Sequence, residues 1–213
     1  MVKLDIISDP VCPWCYIGKT YLDRALETAG NPFEIEWHPF QLNPEMPPAG
    51  MDRRAYLEAK FGGPAGVDEV YGRISEAARE AGLDIDFARI TRTPSTVDAH
   101  RLIHWAGIEG RQSFVVQRLF EAYFREGRDI GDAEVLADVA DGAGMDAGVV
   151  LRLLATESDT DDILRRDAHS REMGVTGVPT FIVANQHAVP GAQPPDLWAK
   201  VITEIMAQDT SAT

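Results

Sequence analysis

Cys12-Pro13-Trp14-Cys15 stands where an apolar run gives way to an amphipathic one, and it holds both cysteines of a 213-residue chain. Ahead of it, Val2, Leu4, Ile6 and Ile7 crowd into a short buried strand, Val2–Ser8, which Asp9-Pro10 ends. Behind it, Ile17, Tyr21, Leu22, Ala25 and Leu26 recur at helical spacing. A helix is predicted from Pro13 to about Ala29, stopped by Gly30-Asn31-Pro32. Phe33, Ile35 and Trp37 then alternate with Glu34, Glu36 and His38 along a second strand, Phe33–Phe40. The chain therefore opens β-α-β, with the cysteine pair on the first turn of the helix.

Two cysteines scattered over this length would fall at that spacing roughly once in a hundred times, so the pair needs a chemical reason. A structural disulfide closing so small a loop would remove little entropy from the unfolded chain. A zinc site needs about four ligands, and the five histidines show no paired metal spacing near the cysteines. Redox chemistry accounts for the residues themselves. Cys12 falls at the N-cap and Pro13 at N1, where a missing N–H is no loss. The Cys12 sulfur is expected to face the free N–H groups of Trp14 and Cys15 and the positive end of the helix dipole, which favour thiolate over thiol. Cys15, one turn on, is expected to lie deeper, so that Cys12 attacks and Cys15 resolves the mixed disulfide. Trp14 is uncharged. It can shield the sulfur and offer substrate an apolar surface, but it adds no positive charge.

From Gln41 to Gly50 the chain crosses through a Pro- and Gly-punctuated stretch, and then about a hundred residues show no convincing strand. Helical patterns cover Arg53–Phe61, Val67–Ala81, Thr96–Ile108, Ser113–Arg125, Ala133–Ala143 and Asp146–Ala155. So long a helical stretch in a β-α-β context reads as an inserted all-helical domain. A helix is predicted over Asp159–Met173, ended by Gly174. A strand over Val178–Val183 follows, with a short partner at His187–Val189 and a last amphipathic helix at Pro195–Ala207. Gln208–Thr213 reads as a loose tail. The predicted division is residues 1–45 and 158–213 as two halves of one α/β domain, with residues 46–157 inserted between them.

Pro179 opens a strand, which suits an edge or a turn because it cannot donate to a ladder. Taken alone it reads as an ordinary trans proline. Beside a cysteine pair that follows a strand, a cis peptide leaving the Val178 backbone for an extended substrate becomes the better reading. These features together resemble the DsbA family of the thioredoxin superfamily, and its FrnE-like branch most closely. That branch is similar to the 2-hydroxychromene-2-carboxylate isomerases and kappa-class glutathione transferases. Asp9–Gly18, Pro39–Pro44, Ala99–Leu102, Gly177–Phe181 and Gly191–Gln193 carry the likeness, in order along nearly the whole chain. The resemblance implies a thioredoxin fold, a mixed sheet flanked by helices, split by a helical domain, with Val178-Pro179 packed beside Cys12. It departs at His38, where relatives often have arginine, and at Ser95, where the branch often has asparagine. In the isomerases and kappa transferases serine commonly takes the place of Cys12 and glutathione supplies the thiol.

Cys12 and Cys15 are thus the expected catalytic residues. Pro13, Trp14, Val178, Pro179, His38 and His100 are the expected substrate contacts. Asp5 and Glu36 are considered as a buried proton acceptor for Cys15, though an exposed strand charge is the plainer reading of each. His100 and His104 stand four apart without a third ligand, which favours packing over metal binding. Trp37, Trp105 and Trp198 read as core, and Asp159–Asp162 as an acidic helix start.

Lys plus Arg number 20 against 34 Asp plus Glu, a net charge of −14, which repels phosphate backbones and anionic lipid. No apolar stretch approaches a membrane span, and the N-terminus lacks the pattern of a secretory signal. A cytoplasmic thiol-disulfide oxidoreductase acting on protein or small-molecule disulfides is expected, served by a cellular thiol reductant or oxidant. No metal or bound cofactor is expected, and glutathione would enter only as a co-substrate. The alternatives are a glutathione-dependent isomerase or transferase and a non-enzymatic peptide-binding module.

Overall fold

A computed structural model describes residues 1–211, with side chains through residue 207. The chain runs β1 (Val2–Ser8), α1 (Pro13–Ala29), β2 (Phe33–Pro39), β3 (Met51–Asp52), α2 (Arg53–Phe61) and α3 (Pro64–Glu80). After a 3-10 turn at Phe87–Arg89 come β4 (Arg92–Thr93), α4 (Val97–Ile108), α5 (Gln112–Phe124), α6 (Ala133–Gly142) and α7 (Ala147–Leu154). It ends with α8 (Thr160–Glu172), β5 (Thr180–Val183), β6 (His187–Pro190) and α9 (Pro195–Ser211).

The main sheet has the order β2-β1-β5-β6. β1 and β2 run parallel, from Val2 opposite Phe33 to Ser8 opposite Pro39, and parallel neighbours need a crossover such as the one α1 provides. β5 and β6 are antiparallel additions. Strand alternation sends Leu4, Ile6 and Phe181 to one face, where they join the apolar core with Cys12, Cys15, Tyr16 and Trp198. Trp198 of α9 packs edge-on to Phe181 with ring centres 4.8 Å apart. Lys3, Asp5 and His38 point to the other face, toward Arg166 and Ser170 of α8.

Three differences from the sequence reading have local causes. Residues 46–157 are not all helical, because β3 and β4 pair through Met51 with Thr93 and Asp52 with Arg92. Two residues per strand leave no alternation to detect. The strand expected from Val178 begins at Thr180, since Pro179 has no N–H for the ladder and its carbonyl instead accepts from Gly191 N at 2.8 Å. α9 extends past Ala207 to Ser211, and of the tail expected there residues 212 and 213 lie outside the described residues.

α8 is fixed to the sheet end by buried polar contacts. Asp167 accepts from Gln41 N at 2.9 Å and pairs with Arg171, whose guanidinium lies over the Phe40 ring at 4.0 Å. Arg101 of α4, 2% exposed, donates to the carbonyls of Leu153, Thr156 and Ser158 and holds the turn between α7 and α8.

α1 meets the loop before β5 at Gly18. A Cβ there would come within 3.1 Å of Pro179 Cγ and 3.4 Å of Phe181 Cζ. Gly18→Val is therefore predicted to force α1 off the loop and to lower stability by about 1–3 kcal/mol, the usual cost of overpacking. Urea unfolding checks this, and an unchanged midpoint would show that the loop yields freely.

Candidate active site

The first turn of α1 presents the cysteines as its capping pattern demands. Cys12 is the N-cap, extended at φ −90° and ψ 113°, with Pro13 inside the first turn. Its N–H donates to the Asp9 carbonyl at 2.9 Å, and its own carbonyl accepts from Cys15 N at 3.1 Å. The cap differs from expectation in one respect. The Cys12 side chain makes no hydrogen bond to the helix N–H groups. Its thiol is turned to the Val178 carbonyl at 3.6 Å, and the Val178–Pro179 peptide is cis.

No disulfide joins the two sulfurs in this structure. They differ little in exposure, 3% for Cys12 and 1% for Cys15, so what separates them is their surroundings. Burial pushes the Cys15 thiol well above its ordinary value, and the neighbouring Cys12 sulfur adds to this. The Ser8 hydroxyl and the Asp9 backbone act the other way. Negative charge in the pair is therefore disfavoured on Cys15. Trp14 is half-buried and packs against both apolar clusters of the protein, so its ring is in part structural rather than free surface.

A sequence profile of the DSBA-like thioredoxin domain matches residues 3–203. The chain belongs to this family. Among its relatives, YwbO of Bacillus subtilis (strain 168) is 28% identical over 208 residues, 95% of this chain and 96% of that one. The crystal structure of the probable DsbA oxidoreductase SCO1869 from Streptomyces coelicolor superposes with a TM-score of 0.86 at 29% identity, covering 97% of this chain and 91% of that one. Cytosolic disulfide reductase DsbM from Pseudomonas aeruginosa, solved with GSH, shares the fold at TM-score 0.70 and 18% identity, over 96% and 99% of the two chains.

Within this DSBA-like frame, several residues expected at the site lie elsewhere. His38 projects from the sheet face opposite α1. There it bonds Asp5 at 2.6 Å and Arg166 at 3.2 Å, and it is not a wall of the Cys12 cleft. The parity of β2 explains this, since His38 shares a side with Glu36 and not with Trp37. Asp5 and Glu36 join the same network, each within 3.1 Å of Lys3, so neither serves Cys15. Together with His38 they bring metal-ligand atoms within 4.8 Å of one another, but Lys3 and Arg166 already supply the positive charge there. His104 contacts Arg166 at 3.2 Å. Asp161 and Asp162 occupy the first turn of α8 as expected, whereas Asp159 accepts from Trp105 Nε1 at 2.8 Å.

His100 does not line the cleft either. It is 3% exposed, and its Nε2 lies 3.8 Å from Asp9 Oδ1 with no hydrogen-bond partner. Asp9 is the buried acid whose role sequence reasoning missed, having been read as the end of β1 and as part of the family likeness. It is 1% exposed, and it accepts from Leu42 N at 2.7 Å and Val11 N at 3.4 Å. The Thr96 hydroxyl, beside Ser95 in the turn ahead of α4, lies near enough to favour the charged form of Asp9. The signal available in sequence was an acid directly before Pro10 at the mouth of the cysteine turn.

Burial pushes the Asp9 carboxyl up to about 7, against the hydrogen bonds it accepts from Leu42 and Val11, while the charge of Asp167 adds to the rise. Burial pushes His100 down to about 4, with Asp167 acting the other way. Folded Asp9 thus holds its proton above the ordinary carboxylate value. The stability it contributes is complete below about 3.8 and is lost as pH rises through about 7. The His100 contribution is present above about 6.5 and lost as pH falls through about 4. Between these limits the two slopes oppose. Asp9→Asn removes one of them, so its urea midpoint is predicted to rise relative to the wild type as pH goes from about 4 to about 7.5. A constant difference over that range would mean that Asp9 does not titrate there.

Proposed function

We propose that this chain is a dithiol–disulfide oxidoreductase in which Cys12 attacks and Cys15 resolves. The unequal setting of the two sulfurs carries this reading. The Cys12 thiol meets the Val178 carbonyl at 3.6 Å, while burial and the Cys12 sulfur disfavour charge on Cys15. An extended substrate laid along Val178 would bring its own sulfur to Cys12 first.

In the reducing direction the Cys12 thiolate attacks one sulfur of R–S–S–R′. A Cys12–S–S–R bond forms, the S–S bond of the substrate breaks, and R′S⁻ leaves and takes up a proton. Cys15 then loses its proton and attacks the Cys12 sulfur. The Cys12–Cys15 disulfide forms as RS⁻ departs and is protonated in turn. Two electrons pass from the pair to the substrate, and two further thiol equivalents restore the dithiol. Run backward, the same steps oxidise a substrate dithiol, and the reduction potential of the pair relative to its partner decides the direction.

Protein and small-molecule disulfides are the proposed substrates. Glutathione is the proposed co-substrate, supported by the DsbM structure of the same fold that was solved with GSH. A cytoplasmic setting, where thiols are kept reduced, suits a pair that works as a reductant. No helix among the described residues is long and apolar enough to cross a membrane.

Cys15→Ser is predicted to accumulate mixed disulfides with substrate through Cys12, visible by mass spectrometry without reductant, whereas Cys12→Ser accumulates none. If Cys15→Ser instead kept full turnover in a glutathione-dependent isomerisation, the resolving role would be lost and the isomerase reading would stand in its place.

A further inference from the structure

Between the lead-in to α1 and the two helices that follow β3 lies a cavity of about 100 Å³. Met46, Leu57, Phe61, Val70 and Ile74 make its wall mainly apolar, and Val11 and Pro13, on either side of Cys12, border it. Arg53 lines the same space and is 7% exposed. Its Nε donates to the Tyr71 hydroxyl at 3.0 Å and its Nη1 to the Tyr123 hydroxyl at 2.8 Å. The guanidinium also lies 5.6–6.0 Å from the ring centres of Tyr71, Phe87 and Tyr123.

These contacts hold the cation in place but do not neutralise it. No carboxylate oxygen comes within 4.0 Å of it among the described residues. Asp9 also lines the cavity, yet its oxygens are committed to Leu42 and Val11. The Thr93 hydroxyl, 4% exposed on the same wall, sits near the Tyr123 hydroxyl without forming a well-directed bond. A buried charge lacking a counter-ion is costly to the fold, and the other buried arginine, Arg101, is saturated by carbonyls and Asp98. Arg53 therefore faces the cavity with charge to spare.

We propose that this cavity binds a small organic monocarboxylate, with the carboxylate on Arg53 and a branched aliphatic group or single ring against Leu57 and Ile74. The guanidinium fork matches a carboxylate in shape, and the net charge of −14 repels ligands carrying several negative charges. The space is smaller than the dry cavity of about 150 Å³ that admits benzene, so a ring enters part-way and nothing larger than one ring fits. Because Val11 and Pro13 border the cavity, a bound group of this kind sits next to Cys12 and favours carboxylated disulfides as substrates. That second step rests on the oxidoreductase reading, and the binding itself does not.

Two measurements test the two steps separately. In NMR titrations of the full reduced chain, benzoate is expected to shift the methyls of Met46, Leu57 and Ile74 saturably. Benzyl alcohol should bind at least about tenfold more weakly, as the loss of a charged hydrogen bond implies. Arg53→Gln should abolish the difference, and Arg53→Lys should keep part of it. Equal binding of the two probes by the wild type, or benzoate shifts confined to other residues, would overturn the site. In the second measurement the reduced chain is mixed with 5,5′-dithiobis(2-nitrobenzoate), with a carboxylate on each ring, or with uncharged 4,4′-dithiodipyridine. Arg53→Gln should slow the first reaction about tenfold or more and leave the second within about twofold. Equal slowing of both would overturn the selection of carboxylated substrates. If the wild type attacked neither disulfide through Cys12, the oxidoreductase reading would fail while the benzoate titration still decided the cavity.

Discussion

The approach of α1 to the loop ahead of β5 is the contact on which the rest of the site depends. It joins Cys12 to Val178, residues 166 positions apart, and it closes only because Gly18 offers no side chain where Pro179, Phe181 and Ala192 arrive. With that approach made, Cys12 is held from two sides, its N–H by the Asp9 carbonyl and its thiol by the Val178 carbonyl. The cysteines then differ through what surrounds them, since both are nearly sealed from water. Chemistry at this pair is therefore governed by packing at a distance as much as by the four residues of the motif.

The buried charges fall into two kinds. Some are closed within the protein: Lys19 with Asp23, Asp167 with Gln41 and Arg171, and Arg101 with three carbonyls. The first closes within α1, and the other two tie one element to another. Asp9, His100 and Arg53 are of the other kind. Each is buried close to the cysteine turn; Asp9 and His100 face each other at 3.8 Å without a hydrogen bond, and Arg53 is held by tyrosine hydroxyls rather than by a carboxylate. Incomplete neutralisation concentrated near one cleft is what a working site shows, where groups are held ready for a proton or a ligand.

Much of this was legible in the residues. The β-α-β opening, the N-cap position of Cys12, the placement of Pro13 and the late hairpin all follow from local patterns that tertiary contacts did not override. The pairing of Val178-Pro179 with Cys12 came from resemblance, because no periodicity links segments so far apart. What could not be read was direction and depth. His38 falls on the wrong face because strand parity places it with Glu36, and the sequence does not say which parity faces α1. Asp9 and Arg53 look like ordinary surface charges at element ends, and only the folded chain shows them shut in. The two-residue strands β3 and β4 were too short to carry any pattern.

The position of β1 has a consequence for how the chain is made. It precedes every other strand of the described chain and lies in the interior of the sheet, with β2 on one side and β5 on the other. β2 is at hand as soon as α1 has formed, but β5 begins at Thr180. Until the ribosome has delivered those late residues, β1 carries a bare hydrogen-bonding edge beside Leu4, Ile6 and Ile7, a template for pairing with another chain. A nascent chain halted after α7 would thus be poised to aggregate through its first strand, and guarding that edge falls to whatever meets it outside the tunnel.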